Sequence, residues 1–261
     1  MLKEQAKFYL GALFALPFMP ILYVQAKWVK KHFPSLPEAK GGEGSVGQAQ
    51  QDTFQVVGLG ESTMAGVGID HQRNGFIGQF SAALAEKLDK KVHWKVYAKS
   101  GFTAAMTNQT FVPLIKEKHI DLFLISLGGN DTFQLNSPAT WTKDIKALIH
   151  ALRLTHPNTP ILFTTMPPVH TFPAFTLPMR LVLGGLVRLH SAALERLISA
   201  FDQVYYDAQK IDLNAWLERL PEHQKEDFYS DGVHPSKLTF NIWGKEMAEL
   251  IYTAHFAHVG K

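Results

Sequence analysis

Four short strings in this sequence set chemistry-bearing residues beside glycine. Gly58-Leu59-Gly60-Glu61-Ser62-Thr63-Met64-Ala65-Gly66 puts a serine on a glycine-flanked turn. Ser100-Gly101-Phe102-Thr103 and Gly128-Gly129-Asn130-Asp131 follow, and Ser230-Asp231-Gly232-Val233-His234-Pro235-Ser236 lies near the C-terminus. A serine hydroxyl is a weak nucleophile until a base takes its proton. Histidine is the usual base, and an aspartate three residues earlier can bend back to orient its ring. Backbone N–H groups and an asparagine amide can donate to a developing oxyanion. Together these residues equip a chain for acyl transfer through a serine ester. Taken singly, each string also has a plainer use: Ser62 as a helix cap, the two glycine strings as turns entering helices, the last as a polar turn.

Other chemistries fit less well. A dinucleotide fingerprint, G-x-G-x-x-G, fails at Thr63, and no phosphate-binding G-x-x-x-x-G-K-S/T string occurs. The G-x-S-x-G elbow fails at Met64. Cysteine is absent, which removes disulfides, thiolate metal sites and a cysteine nucleophile. The 12 histidines form no H-E-x-x-H string, so no metal is implied. Asp131 reads either as a brace for its loop or as a helix cap. The 26 Lys+Arg against 23 Asp+Glu leave a net charge of +3, which gives no electrostatic case for nucleic acid. With 46% hydrophobic and 19% charged residues, the 261-residue chain can bury a full core.

The elements that must position these strings alternate. Residues 54–59, 92–98, 121–127, 160–166 and 203–207 read as short apolar strands. Helical spacing of apolar residues appears around Phe76–Leu88, across 138–155 behind Ser137, across 186–200 and across 240–254. Alternation of this kind predicts an α/β fold, a three-layer sandwich with a central parallel sheet and helices on both faces. Ligands of such sheets bind beyond the carboxyl ends of the strands, where the segments after Gly58, Ala98 and Leu127 should meet.

Serine, glycine, asparagine and histidine thus occur in order, each in a loop on one sheet edge. The set resembles the SGNH hydrolases, also called GDSL-type esterases and lipases, from Phe54 to about Ala254. Gly60-Glu61-Ser62 stands where that family has Gly-Asp-Ser, one methylene longer at the middle position. The resemblance implies a flavodoxin-like sandwich and a carboxylic ester hydrolase without metal or organic cofactor. It implies Ser62 as nucleophile, His234 as base and Asp231 as its orienter. It further implies an oxyanion hole from the N–H groups of Ser62 and Gly101 and the amide of Asn130. An acyltransferase, a carbohydrate O-acetylesterase and a non-catalytic binding module on the same fold stay open.

Residues 166–190, apolar and broken by prolines, follow the fourth strand. Phe172, Phe175, Leu177 and Leu181 are expected to line an acyl pocket or lid, with ordinary helix packing as the alternative. At the other end, Phe8 to Ala26 is an uncharged run of 19 residues. That length suits a bilayer span better than a signal-peptide core, despite Pro17 and Pro20. Residues 1–32 are therefore expected to be a membrane anchor of a cell-envelope protein. A cleaved signal that leaves a secreted or periplasmic enzyme is the alternative. Lys27, Lys30 and Lys31 favour a cytoplasmic C-terminal flank, whereas a signal-anchor would send the domain outward. Residues 33–52, rich in glycine with Pro34 and Pro37, are expected to be a flexible linker of about 25 Å reach. The catalytic domain is expected over 53–261, with an ester or lipid ester as its small-molecule partner.

Overall fold

A computed structural model describes residues 2–32, 34–48, 53–208 and 211–258. Two N-terminal helices, α1 (Leu2–Ala15) and α2 (Met19–His32), are joined by a single 3-10 turn at Leu16–Phe18, where Pro17 removes a backbone donor. Then come β1 (Glu43–Val46), β2 (Phe54–Gly60), α3 (Ser62–Ala65), α4 (Phe76–Leu88), β3 (Val92–Ala98), α5 (Ala104–Phe111), β4 (Leu122–Ser126) and α6 (Gly129–Phe133). They are followed by α7 (Pro138–Thr155), β5 (Ile161–Phe163), α8 (Leu177–Ile198), β6 (Val204–Tyr206), α9 (Leu213–Arg219) and α10 (Lys237–Ala254).

The strands form one sheet in the order β1-β3-β2-β4-β5-β6. Along β2, Val57 and Leu59 enter the core on one face and Phe54 and Val56 the core on the other. In β4, Phe123 and Ile125 alternate with Leu122 and Leu124 in the same way. Strands buried on both faces are nearly all apolar, as these are but for Gln55 in β2 and Ser126 in β4. One core lies under α7 and α8 around Trp141, Ile145, Leu148 and Leu194; the other lies under α4 and α10 around Phe76, Phe80, Phe240 and Trp243. The fold is the expected three-layer α/β/α sandwich. Phe76 packs 4.7 Å from Trp243, ring centre to ring centre, and so ties α10 to α4. Each such buried ring contributes about 1.5–3 kcal/mol.

Three expectations are corrected. The sheet is not wholly parallel: β1 pairs antiparallel with β3, Glu43 opposite Lys95 and Val46 opposite Val92. This strand lies inside the segment read as a flexible linker. Its sequence, EGSV, has no apolar alternation; it forms because β3 offers an open edge of backbone donors and acceptors. Residues 34–48 therefore pack on the domain, and the part of the linker at 49–52 lies outside the described residues. The helix expected from Leu186 begins at Leu177, because Pro178 sits in its first turn, where a missing N–H is tolerated.

The N-terminal helical segment from Lys3 to Val29 has 27 residues, a mean hydropathy of 1.6, and an apolar stretch with no buried residues. It is long and apolar enough to cross a membrane, and its place near the N-terminus suits a signal sequence equally. It lies alongside α8 in the opposite direction. Glu4 pairs with Arg196 near the end of α8, and Thr176 Oγ1 at its start donates to Gln25 Oε1 at 2.7 Å.

Candidate active site

Three site loops leave the sheet at one level. In the register, Gly60 at the end of β2 stands opposite Ala98 of β3 on one side and Ser126 of β4 on the other. The approach is close: a Cβ added to Gly60 would lie 2.3 Å from the Ser126 carbonyl oxygen. Only glycine leaves β2 there without displacing β4. The chain then turns directly into α3, whose first residue is Ser62, with Glu61 in extended backbone at the cap position. Ser62 is therefore the first residue of the helix, not its cap.

The loop after β3 carries Gly101 at φ +86°, in the left-handed region. Nothing lies within 4 Å of a Cβ built there, so the backbone conformation, not crowding by the protein, is what selects glycine. The loop after β4 carries Asn130. One of its amide hydrogens donates to the Phe102 carbonyl at 3.1 Å, which fixes the amide and ties the two loops together. An amide has two hydrogens, so it can donate a second bond. Asp131 is fully buried; it accepts from the Ala104 N–H and the Asn136 amide, each at 3.0 Å. It braces the start of α5 as well as its own loop, and burial raises its carboxyl above the ordinary range.

His234 donates from Nδ1 to Asp231 Oδ2 at 2.7 Å. Asp231 Oδ1 accepts from the N–H groups of Val233 and His234 at 3.0 and 2.8 Å. Burial pushes the Asp231 carboxyl up, but its bonds to His234 and Val233 outweigh burial and hold it below the ordinary carboxylate value. The pairing sets the tautomer: Nδ1 carries the proton, and Nε2 is left to accept one. The loop is pinned from both ends. Ser230 N–H donates to the His234 carbonyl at 2.8 Å, and Ser236 caps α10 while its hydroxyl donates to the Asp227 carbonyl at 2.6 Å.

Ser62, Gly101, Asn130 and His234 line one cleft of about 270 Å³. Its apolar wall includes Phe133, Phe172, Ile211, Leu213 and Trp243. Of the four proposed pocket residues, Phe172 lies in this wall. Phe175 stands behind it, edge-on to Phe172 and Phe133 at 5.4 and 5.7 Å. Leu177 and Leu181 are placed elsewhere, 68% and 67% exposed on the first turns of α8. They leave the cleft because the segment is already helical there and turns that face outward.

Sequence reading missed Glu61 as a working group. It is only 5% exposed. Its carboxylate accepts from the Gly129 N–H at Oε1 and the Asn130 N–H at Oε2, both at 2.7 Å. Burial lifts this carboxyl to about 7, against the pull of those two donors. The signal available was an acid in an otherwise apolar and glycine-rich string. Phe133, three residues beyond Asn130, was findable as an aromatic on the same short helix. Ile211 and Leu213 carried no sequence signal.

A sequence profile of the GDSL-like lipase/acylhydrolase family matches residues 59–239. The spore germination lipase LipC of Bacillus licheniformis is 34% identical over 86 residues, which cover 31% of this chain and 40% of that protein. Among solved structures, the fold is similar to the psychrotrophic esterase EstA from a Pseudoalteromonas species, with TM-score 0.54 and 13% identity over 77% of this chain and 97% of that one. The lipase/acylhydrolase from Enterococcus faecalis gives TM-score 0.54 and 17% identity over 77% and 96%. At those identities the likeness is one of fold.

Proposed function

The chain belongs to the family of GDSL-like lipases and acylhydrolases, which are carboxylic ester hydrolases, and from that premise we propose that it cleaves an acyl ester through an acyl-enzyme on Ser62. The observation that carries the reading is the Asp231–His234 hydrogen bond beside a cleft shared by Ser62 and Asn130.

His234 Nε2 takes the Ser62 proton as Oγ attacks the ester carbonyl carbon. Asp231 stabilises the imidazolium that results. The carbonyl oxygen becomes an oxyanion, which the N–H groups of Ser62 and Gly101 and the Asn130 amide receive. The intermediate collapses as His234 returns the proton to the leaving alcohol. Water, deprotonated by His234, then attacks the acyl-enzyme, and the carboxylic acid leaves with Ser62 restored. The apolar wall of the cleft favours a lipid-like acyl group. The exposed apolar helix from Lys3 to Val29 serves as the membrane anchor in this reading.

Fluorophosphonate labelling of the full-length protein in membrane and soluble fractions, beside Ser62→Ala, tests it. Labelling of the wild type alone, in the membrane fraction, is the expected result. A folded wild type that does not label overturns the serine mechanism, and labelling confined to the soluble fraction overturns the anchor.

A further inference from the structure

His190 takes no part in proton transfer between Ser62 and His234, yet it is a fully buried imidazole with a polar partner on each nitrogen. It sits on α8, and both partners belong to the segment that carries Asn130. Nε2 donates to the Asn136 carbonyl at 2.8 Å, just beyond α6. Nδ1 lies 3.1 Å from the hydroxyl of Thr132, itself fully buried and two residues after Asn130. A carbonyl can only accept, so Nε2 must carry a hydrogen. Burial pushes the ring pKa down to about 4, so at neutral pH there is no second ring hydrogen and Nδ1 accepts. The donor to it is then the Thr132 hydroxyl. That hydroxyl also lies 2.8 Å from the Gly128 carbonyl, but this carbonyl already takes the Thr132 N–H at 3.0 Å. One tautomer therefore satisfies every group, and it is the opposite of the tautomer at His234.

The segment needs such a hold. α6 ends in a turn in which Leu135 takes φ +56°, left-handed backbone that a side chain disfavours. Asn136 closes that turn: its N–H donates to the Asp131 carbonyl and its amide to the Asp131 carboxylate, each at 3.0 Å. With its carbonyl on His190, Asn136 binds the strained turn to α8. The ring itself is held against swinging. Trp141 of α7 stacks on it, 5.5 Å between ring centres and 26° from parallel, and the indole N–H donates to the His190 carbonyl at 3.2 Å. The same indole would lie 3.2 Å from a Cβ added at Gly128, so it also backs the start of the loop. Glu61 thus holds the Gly129 and Asn130 N–H groups from the end of β2, and His190 holds the far end of α6 from α8.

We propose that His190 is a positioning residue for ester hydrolysis: through Thr132 and Asn136 it fixes α6 so that the Asn130 amide is aimed at the oxyanion. The proposal rests on the ester-hydrolase reading. His190 touches no substrate and moves no proton in the reaction. It acts through Asn130, whose amide must lie within hydrogen-bond reach of the oxygen as charge develops on it. A contact made only in the transition state changes kcat and leaves KM, so a fault in positioning should show in kcat.

The test is steady-state hydrolysis of p-nitrophenyl acetate by the full chain, with circular dichroism to report folding. His190→Leu fills much the same space and removes both ring bonds; kcat should fall about tenfold with KM within about twofold. His190→Gln puts an amide nitrogen near the place of Nε2 and should recover part of that loss through the Asn136 carbonyl. Thr132→Val removes the partner of Nδ1 alone and should lower kcat about threefold. A cycle with Asn130→Ala separates positioning from packing. In that background the amide is already gone, so His190→Leu and Thr132→Val should each change kcat by less than about twofold. The same tenfold loss from His190→Leu in both backgrounds makes His190 a packing residue and overturns the proposal. Wild-type kcat in folded His190→Leu overturns it too. If His190→Leu does not fold, Thr132→Val decides: equal losses in the two backgrounds, or no loss in the wild-type background, overturn the proposal. A folded wild type with no hydrolysis that Ser62→Ala abolishes overturns the ester-hydrolase reading instead.

Discussion

Glu61 and Asn130, 69 residues apart in sequence, are joined by a 2.7 Å hydrogen bond from the Asn130 N–H to the buried Glu61 carboxylate. The other carboxylate oxygen takes the neighbouring Gly129 N–H at the same distance. The residue before Ser62 therefore holds the loop that carries Asn130, the oxyanion donor of the proposed mechanism. A catalytic donor misplaced by about 1 Å can cost 10²-fold. Glu61→Gln keeps the side-chain length but turns an NH2 towards one of two N–H donors. We expect kcat to fall about 10–100-fold with KM nearly unchanged. Glu61→Asp keeps both acceptors and should lose less than Glu61→Gln. The reverse order in steady-state kinetics would remove the positioning role.

Glu61 also sets a pH dependence of stability. Its carboxyl lies near 7 in the fold, whereas an unfolded glutamate titrates near about 4.3. Between those values the folded chain binds a proton that the unfolded chain has released. Its contribution is thus full below the unfolded value and lost as pH rises through about 7. Asp131, raised by burial as well, acts in the same direction. The wild-type Tm should fall between about pH 5 and 8, with a shallower slope in Glu61→Gln. Equal slopes by calorimetry would mean that Glu61 is not the group responsible.

Asn130→Ala removes the bond to the Phe102 carbonyl and, in the proposed mechanism, one oxyanion donor. A loss of about 10²–10³ in kcat is expected. Wild-type kcat at saturating ester would exclude Asn130 from the oxyanion hole.

Asp231→Asn puts an amide where His234 Nδ1 and two backbone N–H groups need acceptors. We expect kcat to fall by up to about 10⁴ through the wrong tautomer. Near wild-type kcat at neutral pH would show that a backbone carbonyl rather than Asp231 orients the ring.

Phe172 and Leu181 separate wall from surface. Phe172→Leu should change the chain-length preference among p-nitrophenyl esters, because Phe172 lies in the cleft wall. Leu181→Ala should leave the preference for water-soluble esters intact, because the residue faces outward. The opposite pattern in kcat/KM would move the acyl site onto α8.

The sequence by itself determined the parallel strands, most of the long helices and the four loops. Strands buried on both faces are nearly all apolar, which made β2 and β4 readable. Asp231 and His234 were readable as a pair because three residues are enough for a turn to bring them together. Glycines at Gly60 and Gly101 marked places where the chain needs close approach or a positive φ. What could not be read depends on residues distant along the chain. The strand at Glu43–Val46 exists because β3 offers an open edge, not because its own sequence prefers it. Leu177 and Leu181 share their composition with Phe172; only the path of α8 decides which of them meet the cleft. Glu61 looked like a one-methylene departure from a motif. Tertiary structure alone made it a clamp, because a carboxylate buried away from water must find donors, and those nearest belong to the loop after β4.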